Sequence, residues 1–249
     1  MDFSGIPYKS SWGKLLRFPL RLLPKNLVVL VLQGSLRGKK WIVGSSNHGC
    51  WLGSYEFDKQ KRFAESLVRG QVVYDVGAHV GFYTLLASSL IGKEGQVVAF
   101  EPYPRNLEFL HRHVQMNRCS NVKIVPVALA DRTGTSSFQK NPDYVNSTGR
   151  LASDGSIMVS VDSIDNMIAR KELLPPDVIK MDIEGGEYLA LRGAIETLEK
   201  NHPLIFLATH GPDVHAQCCE LLQGLEYRLE ALPGKHGKTL ADTDEIVAY

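Results

Sequence analysis

Three carboxylates stand within six residues in the run Lys180-Met-Asp182-Ile-Glu184-Gly-Gly-Glu187. Like charges this close cost free energy unless something cationic answers them. A histidine, His210, follows the next apolar run, and its ordinary pKa of about 6.5 suits proton transfer near neutrality. A second acidic feature is Asp75-Val-Gly77-Ala78-His79-Val-Gly81, and a third is Glu101-Pro102 closing VVAF. Glycines at such spacing let a backbone turn sharply and approach a ligand without a Cβ clash.

The chemistry these residues favour follows from charge. A dinucleotide fingerprint reads GxGxxG and offers a helix N-terminus to a pyrophosphate. Here the glycines are spaced GxxxG, and Asp75 precedes the first by two residues. A carboxylate there repels phosphate and welcomes a cation. S-adenosylmethionine, whose product is S-adenosylhomocysteine, carries an amino group and a sulfonium and no phosphate, so such a turn suits it, although a bare strand-to-helix turn would read the same. Glu101 can accept hydrogen bonds from the two ribose hydroxyls. Ala128, in Val127-Ala-Leu-Ala-Asp131, can line the adenine face, with Asp131 near the adenine amino group. Asp182 is expected beside the reactive end of the cofactor and Glu184 toward the substrate. Glu187 is expected to cap or charge the first turn of the next helix. His210 or Glu184 is the candidate base. Asp182, Glu184 and His210 together could hold a divalent ion, since hard oxygen ligands suit magnesium, but that use is not favoured and no metal site is assigned.

The elements that position these groups can be read from periodicity. Val72–Val76, Val97–Phe100, Val122–Val127, Val178–Met181 and Leu204–Thr209 are short apolar runs of the kind buried on both faces of a parallel sheet. Between them the pattern predicts helices over 82–91, 104–117, 187–200 and 214–222. A further strand is expected at 157–161 and a helix at 163–170, while 227–232 and 245–249 close the sheet. Alternation of this kind predicts an α/β, doubly wound sheet with its ligand beyond the strands' carboxyl ends. The polar stretch 131–154 is too irregular for one element. It has the length of a substrate-facing insertion, carrying Tyr144, Asn146, Ser147 and Arg150.

The run DVGAHVG, followed by AFEPYPRN, VALAD, KMDIEGGE and LRGAIETL, resembles the FkbM family of S-adenosylmethionine-dependent methyltransferases. The lead-in GSLRGKKWIVGSSNHGCWLGSYE is similar to that family's as well. The resemblance implies a class I methyltransferase-like, Rossmann-like sheet of seven strands, the last antiparallel, behind an N-terminal helical or extended lead-in. It implies O-methylation of a small hydroxylated metabolite such as a sugar, glycan or polyketide. It places Asp75, Gly77 and Gly81 at the methionine moiety, Glu101 at the ribose and Asp182 near the sulfonium, with Ala78 and Pro102 also at the cofactor. It also suggests that Tyr55 and Glu56 fold over the cofactor. Two positions depart from the family pattern: His79, where Asn is frequent, and Ala208, where a Glu often precedes the histidine by two residues.

Bulk properties narrow the partners. The 249 residues suggest a lead-in over 1–70 and a cofactor-binding domain over 71–249. A formal charge of +1 gives no field for nucleic acid. The four cysteines have no CxxC or zinc spacing, which suits a reducing compartment and a cytoplasmic location. The longest apolar run near the start, LVVLVL, is far short of the roughly 20 residues that span a bilayer. The basic, leucine-rich first 40 residues are expected to pack as a helical cap, with an anionic membrane surface or a second copy of the chain as alternatives. Two other readings of the whole remain: a nicotinamide-dependent oxidoreductase, and a non-catalytic adenosine-cofactor-binding module.

Overall fold

In the computed structural model the described residues are 20, 22–140, 149–151, 155–232, 239–240 and 243–249. The expected N-terminal cap lies largely outside them, as do Tyr144, Asn146 and Ser147. The lead-in contributes an antiparallel pair, β1 (Val28–Leu30) and β2 (Lys40–Ile42), then α1 (His48–Leu52) and α2 (Phe57–Ser66). The first half of the main sheet follows as β3 (Val72–Val76), α3 (Phe82–Ile91), β4 (Gln96–Phe100), α4 (Pro104–Met116) and β5 (Val122–Val125). A second sheet interrupts with β6 (Ala128–Leu129), β7 (Gly134–Lys140), β8 (Gly149–Leu151) and β9 (Ile157–Asp162). The chain then returns through α5 (Ile164–Ala169), β10 (Val178–Met181), α6 (Glu187–Arg192), α7 (Ile195–Asn201), β11 (Leu204–Ala208), α8 (Pro212–Gly224), β12 (Leu229–Ala231) and β13 (Glu245–Ala248).

The main sheet has seven strands in the order β12-β13-β11-β10-β3-β4-β5, with β13 antiparallel to both neighbours. From β3 the chain steps outward to β4 and β5, then crosses back to β10 on the other side. That reversal leaves a crevice beyond the carboxyl ends of β3 and β10, where open α/β sheets bind ligands.

Alternate side chains of the central strands enter different cores, as the period of two requires. Tyr74, Val98, Ile179 and Leu207 pack toward α5 to α8, against Ile164, Leu191, Leu198 and Leu222. Val73, Val97, Val178 and Phe206 pack toward α3 and the lead-in, against Leu85, Leu86, Trp41 and Phe63. Both faces are therefore covered, which is why these strands read as unbroken apolar runs. The lead-in supplies a large part of the second core: Trp41 is fully buried and stacks on His113, ring centroids 4.1 Å apart.

Two expectations are corrected. The helix read over 187–200 is two helices, because Gly193 breaks it. A Cβ at Gly193 would lie 2.1 Å from the carbonyl oxygen of Ala130, so the second sheet's approach requires glycine there. The strand read over 122–127 stops at Val125, and Ala128–Leu129 leaves for the second sheet. The stretch read as too irregular for one element holds two, β7 and β8, which with β6 and β9 form a four-stranded sheet ordered β6-β9-β7-β8. Among the described residues no helix is long and apolar enough to cross a membrane.

Candidate active site

A cavity of about 390 Å³ opens at the switch point, within the range of roughly 300–1,000 Å³ typical of small-molecule sites. Strand register builds its floor. β3 and β10 run parallel with Asp75 beside Lys180, and both side chains are buried. Lys180 Nζ stands 3.8 Å from Asp75 Oδ1 and 3.8 Å from Asp182 Oδ2. It also lies 5.1 Å from the centre of the Tyr83 ring. Thr84 donates to the other Asp75 oxygen, while Oδ1 is buried without a hydrogen bond. Burial raises the Asp75 pKa, against the opposing pull of Lys180 and Thr84.

The glycine turn fixes the next wall. Gly77 sits at φ +78°, and a Cβ there would come within 2.0 Å of the Asp182 carbonyl oxygen. The turn is pinned to the tip of β4: the N–H groups of Gly77 and Ala78 donate to Phe100 O, and His79 N–H donates to Glu101 Oε2 at 2.8 Å. Glu101 Oε1 accepts from Tyr103 N–H at 2.9 Å and from Asn106 Nδ2 at 3.3 Å. Burial pushes this carboxyl up to about 7, although all three partners are donors and favour the ionised form.

Across the cavity, α6 and β11 bring up the acid-histidine group. Glu187 is fully buried at the start of α6. Its Oε1 accepts from Ile183 N–H at 3.2 Å, from Gly185 N–H at 3.0 Å, and from His210 Nδ1 at 2.9 Å. His210 Nε2 lies 3.7 Å from Asp182 Oδ1 and 3.6 Å from Glu184 Oε2. Burial disfavours charge on this imidazole, but Glu187, Asp182 and Glu184 outweigh it and raise its pKa to about 9. For Asp182, burial is outweighed by Lys180, Lys59 and His210, which hold its carboxyl below the usual range. Glu187, expected only to charge the helix start, is thus also a carboxylate partner for His210, from an element other than the strand carrying Ala208.

The lead-in closes one side. Glu56 adopts a left-handed conformation, φ 44°, to start α2, and accepts from Tyr83 Oη at 2.8 Å. Tyr55 meets Phe82 edge-on at 5.1 Å. Lys59, one turn into α2, is buried with its Nζ 2.8 Å from Glu245, 3.8 Å from Glu56 and 3.9 Å from Asp182. Burial opposes its charge, and these carboxylates more than restore it.

Tyr55, Glu56, Asp75, Gly77, Ala78, Glu101, Pro102, Ala128, Asp182, Glu184 and His210 all line this one cavity. Gly81 does not: it sits behind the wall at φ +97°, where a Cβ would come within 2.7 Å of Leu110 Cδ1. Asp131 also lies elsewhere, paired with Arg192 at 3.5 Å and Arg132 at 3.7 Å. Arg150 is exposed on β8. Sequence reasoning passed over Lys180, Lys59, Tyr83, Glu245 and Phe138. A lysine inside the buried run VIKM was a legible signal, because lysine is almost never fully buried unless paired. Phe138 of β7 reaches the cavity beside Leu151 of β8, with its ring parallel to Tyr103 at 5.9 Å. Among the described residues no group of three or more His, Cys, Asp or Glu is arranged to hold a metal ion.

Comparisons with known proteins bear on the family and the fold. Hexuronic acid methyltransferase AglP of Haloferax volcanii is 27% identical over 146 residues, 58% of each chain. The crystal structure of Methyltransferase FkbM from Methylobacillus flagellatus KT superposes with a TM-score of 0.54 at 21% identity, over 74% of this chain and 44% of that one. That likeness is one of fold, and the chain spans only about half the length of these relatives. The Methyltransferase FkbM domain matches residues 75–229, from the first acidic strand tip through α8 to β12, and the chain belongs to that family.

Proposed function

We propose that the protein transfers a methyl group from S-adenosylmethionine to a hydroxyl oxygen of a small, sugar-like acceptor. The charge of the cavity carries this reading. Glu56, Asp75, Glu101, Asp182, Glu184 and Glu245 all line it, against Lys180 and with Lys59 behind. Phosphates would meet like charge on several sides. A ligand with a sulfonium, an ammonium and an adenosine, and no phosphate, fits this set of groups. Glu101 would hold the ribose hydroxyls. Asp75 and Lys180 would face the amino-acid end as an acceptor and a donor.

S-adenosylmethionine supplies a methyl group already activated by its sulfonium. The protein must therefore orient the acceptor oxygen, exclude water and take a proton. Asp182, Glu184 and His210 line the cavity and would carry these tasks, and Phe138 and Leu151 add apolar surface to it. The relative's hexuronic acid acceptor supports a sugar-like substrate class. Calorimetric titration with S-adenosylmethionine, S-adenosylhomocysteine and NAD tests the cofactor, and labelled methyl transfer to a panel of hydroxylated monosaccharides tests the reaction. Binding of the first two, followed by label in an alkali-stable methyl ether, is expected. Binding of NAD alone would overturn the reading.

A further inference from the structure

Glu184 and His210 are the candidate bases at the cavity, and the geometry around the imidazole assigns its two nitrogens different roles. Glu187 Oε1 lies 2.9 Å from Nδ1, while Nε2 faces Asp182 and Glu184 at 3.7 and 3.6 Å. A carboxylate only accepts hydrogen bonds, so the Nδ1 side must carry the proton. Glu187 is itself immobilised: it is fully buried, and two backbone N–H groups of the turn before α6 bind the same oxygen. Its second oxygen is buried without a hydrogen-bond partner, so all its hydrogen bonds, the one to the imidazole included, fall on one oxygen. The ring thus has one nitrogen tied to the protein and the other turned to the cavity.

We propose that Glu187 is a positioning residue that keeps a proton on His210 Nδ1, leaving Nε2 as the atom that takes the hydroxyl proton of the acceptor. This rests on the methyl-transfer reading above. As the acceptor oxygen bonds to the methyl carbon, the carbon–sulfur electron pair leaves with sulfur. The oxygen–hydrogen bond breaks in the same displacement, its electron pair stays on oxygen, and the proton passes to Nε2. Glu187 then holds the imidazolium, which later returns the proton to water. The groups facing the ring are Glu187 from α6, and Asp182 and Glu184 from the turn after β10; Lys180, Lys59 and His79 act on it through Asp182. In the ligand-free protein these acids keep both ring nitrogens protonated at neutral pH. A second positive charge in the cavity disfavours the imidazolium, so Nε2 is freed when the site is filled by a cation.

Imidazole nitrogen NMR on the isotope-labelled full chain tests this without an acceptor. The neutral form of His210 is expected as the Nδ1–H tautomer, with a titration midpoint well above that of an ordinary histidine. Glu187→Gln keeps an oxygen for the backbone N–H groups and removes the charge. It is expected to lower the midpoint by about one to two pH units, the scale of a hydrogen bond to a charged group. An Nε2–H tautomer in the wild-type chain overturns the proposal even if the variant fails to fold, and so does an unchanged midpoint in a folded variant. Saturating S-adenosylmethionine is expected to lower the wild-type midpoint further than S-adenosylhomocysteine, which lacks the sulfonium charge; equal midpoints overturn the base role. Calorimetry in the same samples separates the readings, since absence of S-adenosylmethionine binding refutes the cofactor and leaves the tautomer result standing. Once an acceptor is found, Glu187→Gln should reduce kcat and move its acidic limb to lower pH, with the KM for S-adenosylmethionine within about twofold of wild type.

Discussion

Replacing Glu101 with glutamine isolates a proton that cofactor binding should displace. The carboxyl is buried, and burial raises it from an ordinary value of 4.5 to about 7. Its neighbours are all donors: two backbone N–H groups and the Asn106 amide. Two ribose hydroxyls would add two more donors, so binding should favour the ionised form. If the bound state needs the carboxylate, the apparent Kd should fall about tenfold between pH 6 and pH 8 and level off above. Near pH 6 binding should release close to one proton, visible as buffer-dependent heats in calorimetry. Glu101→Gln should weaken binding at pH 8 by about 1.5–3 kcal/mol, on the order of 10- to 150-fold, and remove the slope. Any slope from the ligand's own amino group survives in the variant, so the difference between the two curves belongs to Glu101. Parallel curves, with Kd values within twofold, would remove Glu101 from the ribose site.

Other outcomes follow from the same geometry. Lys59→Met leaves Glu245, Glu56 and Asp182 without their shared buried cation, and should cost about 3–5 kcal/mol of stability in denaturant titration; a loss below about 1 kcal/mol would make the network incidental. Gly77→Ala places a methyl 2.0 Å from a carbonyl oxygen at φ +78°, so cofactor binding should be lost while the circular dichroism of the fold remains. Unaltered binding would show that the turn has room to shift. Glu101 also links stability to pH. Its folded value lies above its ordinary one, so its contribution is complete below about 4.5 and fades as pH rises through about 7, by about 3 kcal/mol in all. The difference in unfolding free energy between wild type and Glu101→Gln, measured from pH 4 to pH 8, should trace that fall.

What the sequence disclosed and what it hid divide along a physical line. Strands buried on both faces have to be apolar throughout, so Val72–Val76 and Val178–Met181 announced themselves, and with them the acids at their tips. β7 did not, because GTSSFQK has neither alternation nor an apolar run; it becomes a strand by pairing with β9, with Phe138 as a buried anchor. Lys59 was equally hidden. It meets Glu245 across 186 residues of chain, and nothing local to FDKQKRF distinguishes it from the exposed lysine two positions on. Glu187 was visible but half understood. Its place in the first turn of a helix accounts for a carboxylate by itself, and only the arrival of β11 shows that the same oxygen reaches an imidazole. The spacing Asp182, Glu184, Glu187 therefore does more than gather negative charge. Two of the acids end at the cavity and one behind the histidine, so the single turn between β10 and α6 both lines the cavity and holds the ring. An insertion or deletion of one residue in that turn should uncouple the two, lowering the His210 midpoint while the sheet and Glu101 stay in place.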